Sequence, residues 1–106
     1  MEGARLELAI TVARSPWARS EASAALCAQF GQSQLAAGLC AGEAGVIGGG
    51  SDANTVGALG IPTIDGLGPR GHGFHTRDEQ IEISSLALKA EALLRFLLSA
   101  LPTGER

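Results

Sequence analysis

Both histidines of the chain lie in the glycine-rich run GLGPRGHGFHTRDEQIEISSL, which extends over residues 66–86. His75 is followed closely by the acidic pair Asp78 and Glu79. A neutral imidazole is a common zinc ligand, and a carboxylate that accepts a hydrogen bond from its second nitrogen fixes the tautomer that binds the metal. Asp65 and Asp78 are candidates for that carboxylate. The run therefore permits a metal site at His75, although a single histidine is weak evidence for one.

The other histidine, His72, lies between two glycines, three residues before His75. On a glycine-rich loop we expect it to be a solvated side chain without a role in binding. His75 is thus the candidate ligand of the run.

A second glycine-rich turn, GGGSDAN, covers residues 48–54 and places Ser51 and Asp52 where a helix can begin. Backbone N–H groups at a helix N-terminus can bind an anion, and either side chain can cap the helix. The turn lacks the lysine of a phosphate-binding loop, so a capped strand-to-helix turn is the simpler interpretation. A Ser51–Asp52–His75 triad is disfavoured, because adjacent serine and aspartate side chains rarely reach opposite sides of one imidazole.

Strands are predicted on both sides of this turn. The alternation of apolar residues over 6–12 predicts a strand with one buried face. The short apolar runs GVIGG (45–49) and IPTID (61–65) are separated by SDANTVGALG. They predict two strands of a buried parallel sheet joined by a short helix.

Two longer helices are predicted. Residues 14–19 are predicted to be a linker after the first strand, in which Pro16 restricts Ser15 to extended conformations. Ser20 can then cap a helix that runs to about Ala37 and ends at Gly38. The last helix begins at residue 84 or 85 and ends near Ala100, before a proline. The predicted buried stripes are Ala22, Leu26, Phe30 and Ala37 on the first helix, and Leu86, Ala90, Leu93, Leu97 and Leu101 on the last.

Composition limits the classes of function. With 106 residues and 45% hydrophobic residues, the chain is at most one packed domain of the α/β type. Its net charge of −3 and scattered arginines argue against a nucleic-acid partner. Cys27 and Cys40 lack a CxxC spacing and follow no secretory signal, which favours reduced thiols. We therefore expect a soluble, cytoplasmic protein without a membrane partner.

The turn at 48–54 and the run at 66–86 together resemble the closing segment of a known catalytic domain. It is that of the zinc-dependent exopeptidases and amidohydrolases of the glutamate carboxypeptidase, acetylornithine deacetylase and succinyl-diaminopimelate desuccinylase type. That family has a Gly-Gly-Ser/Thr-Asp turn, a Gly-Ile/Val-Pro strand, a Gly-Leu-Gly-Pro loop and a His-Ser/Thr-x-Asp-Glu run before its final helix. All four occur here in that order, so the resemblance is close over residues 46–100 and loose before them.

The resemblance implies an α/β fold: part of a zinc-exopeptidase (phosphorylase/hydrolase-like) catalytic domain, a mixed sheet with flanking helices. Residues 1–14 would be the last strand of an inserted lid or dimerisation domain and its hinge, although only Pro16 stands where the family often has a proline pair. Residues 15–106 would be the C-terminal part of the catalytic domain. His75 would be the last ligand of a two-zinc centre, whereas His72 would bind nothing. The implied substrate-binding residues are Gly49, Gly50, Ser51 and Gly68, and the implied supporting residues are Asp52, Thr76, Asp78 and Glu79.

In the family, the remaining zinc ligands come from an upstream His-x-Asp run, a bridging Asp, a Glu-Glu pair with the general base and a further acidic residue. None of these runs occurs in the 106 residues. We therefore expect the C-terminal fragment of an enzyme that hydrolyses an amide bond of a peptide or N-acyl amino acid, dimeric through its lid domain. The glycines would let metal and substrate approach the loop around His75. The alternative is a non-catalytic binding or oligomerisation module that retains the fold without a complete metal site.

Overall fold

The computed structural model describes residues 3–102, and its regular elements are three helices and one small sheet. The helices are α1 (Glu21–Ala36), α2 (Asp52–Gly57) and α3 (Ser84–Ala100). Between α2 and α3, strand β1 (Gly71–His72) pairs antiparallel with β2 (Gln80–Ile81). These elements are compatible with a mixed α/β protein, and the helix bounds agree with those predicted from the sequence.

Helix α1 begins and ends at the residues that the sequence indicates. The Ser20 hydroxyl accepts a hydrogen bond from the Ser23 N–H at 3.1 Å, which caps the N-terminus. At the other end Gly38 has a φ of 84°, and its N–H donates to the Leu35 carbonyl at 3.1 Å. The Leu39 N–H donates to the Gln34 carbonyl at 2.9 Å, which completes a Schellman motif.

The core lies between α1 and α3. The rings of Phe30 and Phe96 meet edge to face, with centroids 5.4 Å apart and an interplanar angle of 69°. This geometry contributes about 0.5–1.5 kcal/mol beyond the burial of the rings. The buried hydrophobic residues are Phe30, Ala37, Leu39 and Ala92, and Ile64, Leu67, Leu88 and Phe96 pack around them.

The buried helix faces differ from the predicted stripes. On α1, Phe30 and Ala37 are buried as expected, but Ala22 is exposed. The predicted leucine stripe of α3 is wrong: Leu97 is 52% exposed, and Ser85 and Ala92 are fully buried instead. Helix α3 is apolar on most of its surface, and its small residues allow the closest approach to a neighbour. The leucines would need another layer to cover them.

The predicted parallel sheet is not formed by the described residues. The segments 6–12, 45–49 and 61–65 carry no strand, and the β1–β2 pair lies elsewhere. A strand exists only when a second strand satisfies its N–H and C=O groups, and central parallel strands need partners on both edges. The apolar pattern therefore identified segments that could join a sheet, but the described residues contain no strands with which they pair.

The described chain is much less compact than a globular domain. Its radius of gyration is 19.0 Å, against about 13 Å for a compact domain of this length. Much of the apolar surface is open: Leu6 is 93% exposed and Val12 74% exposed. None of the described helices is long and apolar enough to cross a membrane.

Segments without regular structure are tied to the helices by polar contacts. The Arg19 guanidinium donates to both carboxylate oxygens of Glu43 at 2.7 and 3.0 Å. This hydrogen bonding, on the surface, lowers the pKa of Glu43 and raises that of Arg19. Any stability that it adds is therefore present above the unfolded pKa of the carboxyl and is lost as the pH falls through the folded value. Both cysteines, Cys27 and Cys40, are free thiols.

Candidate metal centre

The glycine-rich run forms a hairpin in which two glycines are required by the backbone itself. A side chain at Gly71 would collide with the Gln80 carbonyl oxygen. Gly73 has a φ of 74°, and a Cβ there would lie 2.8 Å from the Asp78 carbonyl oxygen. These two glycines thus serve strand pairing rather than the approach of a ligand, whereas Gly68 has open space around it.

Thr76 holds the turn between the strands. Its hydroxyl donates to the Gly73 carbonyl at 2.6 Å and accepts from the Asp78 N–H at 3.2 Å. The Glu79 N–H donates to the Thr76 carbonyl at 3.3 Å. Thr76 is therefore a structural residue of the turn that carries His75.

His75 lies in this turn with a φ of 64°, and it is the non-glycine residue with positive φ among residues 3–102. The left-handed region costs an ordinary side chain about 1–2 kcal/mol, although histidine enters it more often than most residues. The imidazole is exposed and has no hydrogen bond or ion pair within the described part of the chain. A strained, unengaged histidine at the end of a hairpin is a reasonable candidate for a ligand.

We expect Gly73→Ala to destabilise the hairpin by about 1–3 kcal/mol, because the left-handed φ and the contact with the Asp78 carbonyl both oppose a methyl group. Gly68→Ala is the matched control, since it adds the same methyl in open space and should change stability by less than about 1 kcal/mol. Amide hydrogen exchange of residues 70–82 measures the difference. Equal protection in the two variants would contradict the assigned role of Gly73.

The carboxylates predicted to support His75 form no hydrogen bond or ion pair with it. Asp65 accepts a hydrogen bond from the adjacent Gly66 N–H at 2.8 Å, while Asp78 and Glu79 are exposed. Within residues 3–102, no three His, Cys, Asp or Glu side chains lie close enough together to hold a metal ion. His75 fits a zinc site in donor type and accessibility, but it supplies one ligand where such sites use three or four.

The turn at residues 48–54 is a helix cap. The Ser51 hydroxyl accepts from the Ala53 N–H at 3.1 Å, and the Asn54 side chain accepts from the Ser51 N–H at 3.1 Å. Ser51 is therefore the cap, and Asp52 instead forms an exposed ion pair with Arg14 at 2.8 Å. In the described residues α2 packs against no strand and no other helix, so the helix that Ser51 caps does not contact β1 or β2.

Because Ser51 is the cap, substitutions of Ser51 and Asp52 should affect the stability of α2 differently. Ser51→Ala should lower the free energy of unfolding of α2 by about 0.5–2 kcal/mol, because the Ala53 N–H loses the hydroxyl that accepts its hydrogen bond. Asp52→Ala should cost less than about 1 kcal/mol, because its ion pair is exposed. Hydrogen exchange of the α2 amides distinguishes them, and a larger loss at Asp52 would contradict Ser51 as the cap.

Sequence reasoning missed a cleft beside the hairpin. It is a shallow depression, open to solvent, with a volume of about 690 Å³. It is lined by Gly66, Gly68, Pro69, Arg70, Gly71, Phe74, Glu79 and Ile81. Arg70 and Phe74 were visible in the run, but only strand pairing shows that they line the same cleft.

Comparison with known proteins agrees with the resemblance at the level of the family. The model of peptidase family M20/M25/M40 matches residues 5–99. Neither a curated protein nor a solved structure gives a significant match to the chain. Members of this family are hydrolases and are generally metal-dependent. Because the match covers nearly all of the sequence, the chain belongs to peptidase family M20/M25/M40.

Proposed function

We propose that this chain contributes to a zinc-dependent exopeptidase or amidohydrolase of the glutamate carboxypeptidase, acetylornithine deacetylase and succinyl-diaminopimelate desuccinylase type. The enzyme would cleave an amide bond of a small peptide or an N-acyl amino acid. The observation that carries the proposal is His75, held at a φ of 64° at the end of a hairpin, with its imidazole free of other partners. Its position in the His-Thr-x-Asp-Glu run supports the assignment as a zinc ligand.

The metal, when bound, would polarise the amide carbonyl of the substrate as a Lewis acid. His75 would hold it through a nitrogen of its neutral imidazole. Thr76 would keep the turn closed through its hydrogen bond to the Gly73 carbonyl. Thr76 would thus contribute to catalysis by fixing the position of the His75 imidazole.

The cleft beside the hairpin is the proposed place for part of the substrate. Phe74 is 59% exposed and offers an aromatic surface, and Ile81 lines the same cleft. The Arg70 guanidinium is about half exposed and lies 3.5 Å from the Glu82 carboxylate, which leaves it donors for a substrate carboxylate. Gly68 allows close approach of the backbone. A proposed role for Gly49, Gly50 and Ser51 in substrate binding would require their turn to approach the hairpin in the assembled enzyme.

The remaining ligands are proposed to come from polypeptide outside residues 3–102. The exposed segments 6–12, 45–49 and 61–65, and the open leucines of α3, would be covered by it. In this proposal residues 1–14 end the lid or dimerisation domain, residues 15–106 belong to the catalytic domain, and the enzyme is a homodimer through its lid. Residues 1–2 and 103–106 of these ranges lie outside the described residues.

The test is the metal content and activity of a protein that contains this chain together with the remaining ligands. Removal of zinc by a chelator should abolish hydrolysis of N-acyl amino acids and dipeptides, and added zinc should restore it. If such a protein binds these compounds without hydrolysing them at any zinc concentration, the chain is a non-catalytic binding module instead.

A further inference from the structure

The side chain of Ser85, in the first turn of α3, is fully buried and has both of its hydrogen-bonding functions in use. Its hydroxyl donates to the Glu82 carbonyl at 2.6 Å. It accepts from the backbone N–H of Arg70 at 2.9 Å. Ser85 has no exposed surface, and it is bonded to backbone groups fifteen and three residues earlier in the chain. It therefore makes a specific connection within the fold and is not a surface residue of indifferent type.

The two backbone groups lie at the base of the hairpin. Arg70 immediately precedes β1, and its carbonyl accepts from the Glu82 N–H at 2.8 Å. The Ser85 hydroxyl therefore hydrogen-bonds to the residue before β1 and to the residue after β2, which face each other at this base. The additional ion pair between Arg70 and Glu82 is half exposed and 3.5 Å long, so it constrains the base weakly.

Ser85 also connects the hairpin to the rigid part of the fold. On α3, Ala92 is fully buried against α1, and Phe96 meets Phe30 edge to face. The hairpin itself has only two residues in each strand and exposes most of its side chains. A strand pair this short is not stable by itself, so its orientation must be set from its base.

We propose that Ser85 is a positioning residue for His75: its buried hydroxyl fixes the base of the hairpin on α3 and thereby holds the turn that presents the imidazole. The inference rests on the proposed function where it concerns zinc. The part that concerns the hairpin is independent of it.

The chain offers a matched control in Ser23. This serine is also buried, at 7% exposure, and its hydroxyl accepts the Thr63 N–H at 3.0 Å. Ser23→Ala and Ser85→Ala therefore each leave one backbone N–H of a loop without its acceptor. Only the second of these N–H groups belongs to the hairpin.

The first measurement is hydrogen exchange by mass spectrometry on the full chain. Ser85→Ala should accelerate exchange in residues 70–82 by about tenfold or more, because the Arg70 N–H loses its acceptor and the base opens. Ser23→Ala should change exchange there by less than twofold and act on residues 61–65. Ser85→Cys, which keeps a small side chain with weaker hydrogen bonding, should fall between wild type and Ser85→Ala. If Ser85→Ala also accelerates exchange in α1, the exchange of the hairpin in Ser85→Cys is compared with that in Ser23→Ala instead. Equal exchange of the hairpin in the Ser85 and Ser23 variants would overturn the proposal.

The second measurement is zinc retention against a chromogenic chelator in the holoenzyme that contains this chain. Ser85→Ala should weaken zinc binding about 10 to 100-fold, as is usual when a group that orients a ligand is lost, and Ser23→Ala should not. His75→Ala is the reference. Unchanged retention in Ser85→Ala, with loss in His75→Ala, would overturn the positioning role alone. Unchanged retention in His75→Ala would refute the proposed function and with it the role of Ser85 toward zinc.

Discussion

Replacement of His75 by alanine is expected to reduce amide hydrolysis by at least about 10³-fold in a protein that contains this chain and the remaining ligands. Lewis-acid stabilisation of the transition state is worth several kcal/mol, and each 1.4 kcal/mol is about tenfold in rate. Metal analysis and kcat/KM measure the effect together. His72→Ala is the control, because His72 is exposed in β1 opposite Gln80, and it should retain activity within about twofold.

A second substitution at the same position separates the imidazole from the backbone. Asparagine tolerates the left-handed region at least as well as histidine does, so His75→Asn should preserve the turn at its φ of 64°. It nevertheless removes the zinc-binding nitrogen. We expect His75→Asn to be as inactive as His75→Ala and more stable. An active, fully metallated His75→Ala protein would refute the ligand assignment.

Helix ends were predictable because their signals are local. Ser20 and Gly38 fix α1 through contacts with residues at most four positions away, and a sequence shows such spacings directly. The orientation of α3 was not predictable for the opposite reason. Its leucines outnumber the sites that α1 can cover, and the contact with the α1 core is made by Ala92 and Phe96. Which face is buried depended on a partner distant in sequence.

For the candidate site, the sequence suggested a residue, which stays a prediction, but it did not indicate which contacts shape the turn around that residue. His75 stood out through residue type and motif. Asp65 and Asp78, the carboxylates predicted to orient it, form no hydrogen bond or ion pair with it. What shapes the turn is a threonine hydroxyl and, in our proposal, a buried serine fifteen residues from the N–H that it accepts. Serine is common in helix first turns, so composition and spacing give no sign of that connection.

The chain by itself is expected to self-associate and to bind zinc with a Kd of about 1–15 mM. The physical reason for association is the open apolar surface: Leu8 is 81% exposed, and its segment presents unpaired backbone groups that can pair with another copy. The zinc estimate follows from structural sites worth about 10–16 kcal/mol, of which one of four ligands supplies about a quarter. Light scattering at micromolar concentration and zinc titration by calorimetry measure the two quantities.

A charged side chain in the exposed segment 6–12 provides the matched control for the prediction of self-association. Leu8→Lys should reduce association strongly, because lysine on an unpaired segment opposes edge-to-edge pairing. It should leave α1 and α3 intact, since Leu8 lies outside the core that Phe30 and Ala92 form. Far-ultraviolet circular dichroism verifies that the helices persist. A monodisperse wild-type monomer that binds zinc at micromolar concentration would contradict both parts, because it would require a covered apolar surface and a closed ligand set within these 106 residues.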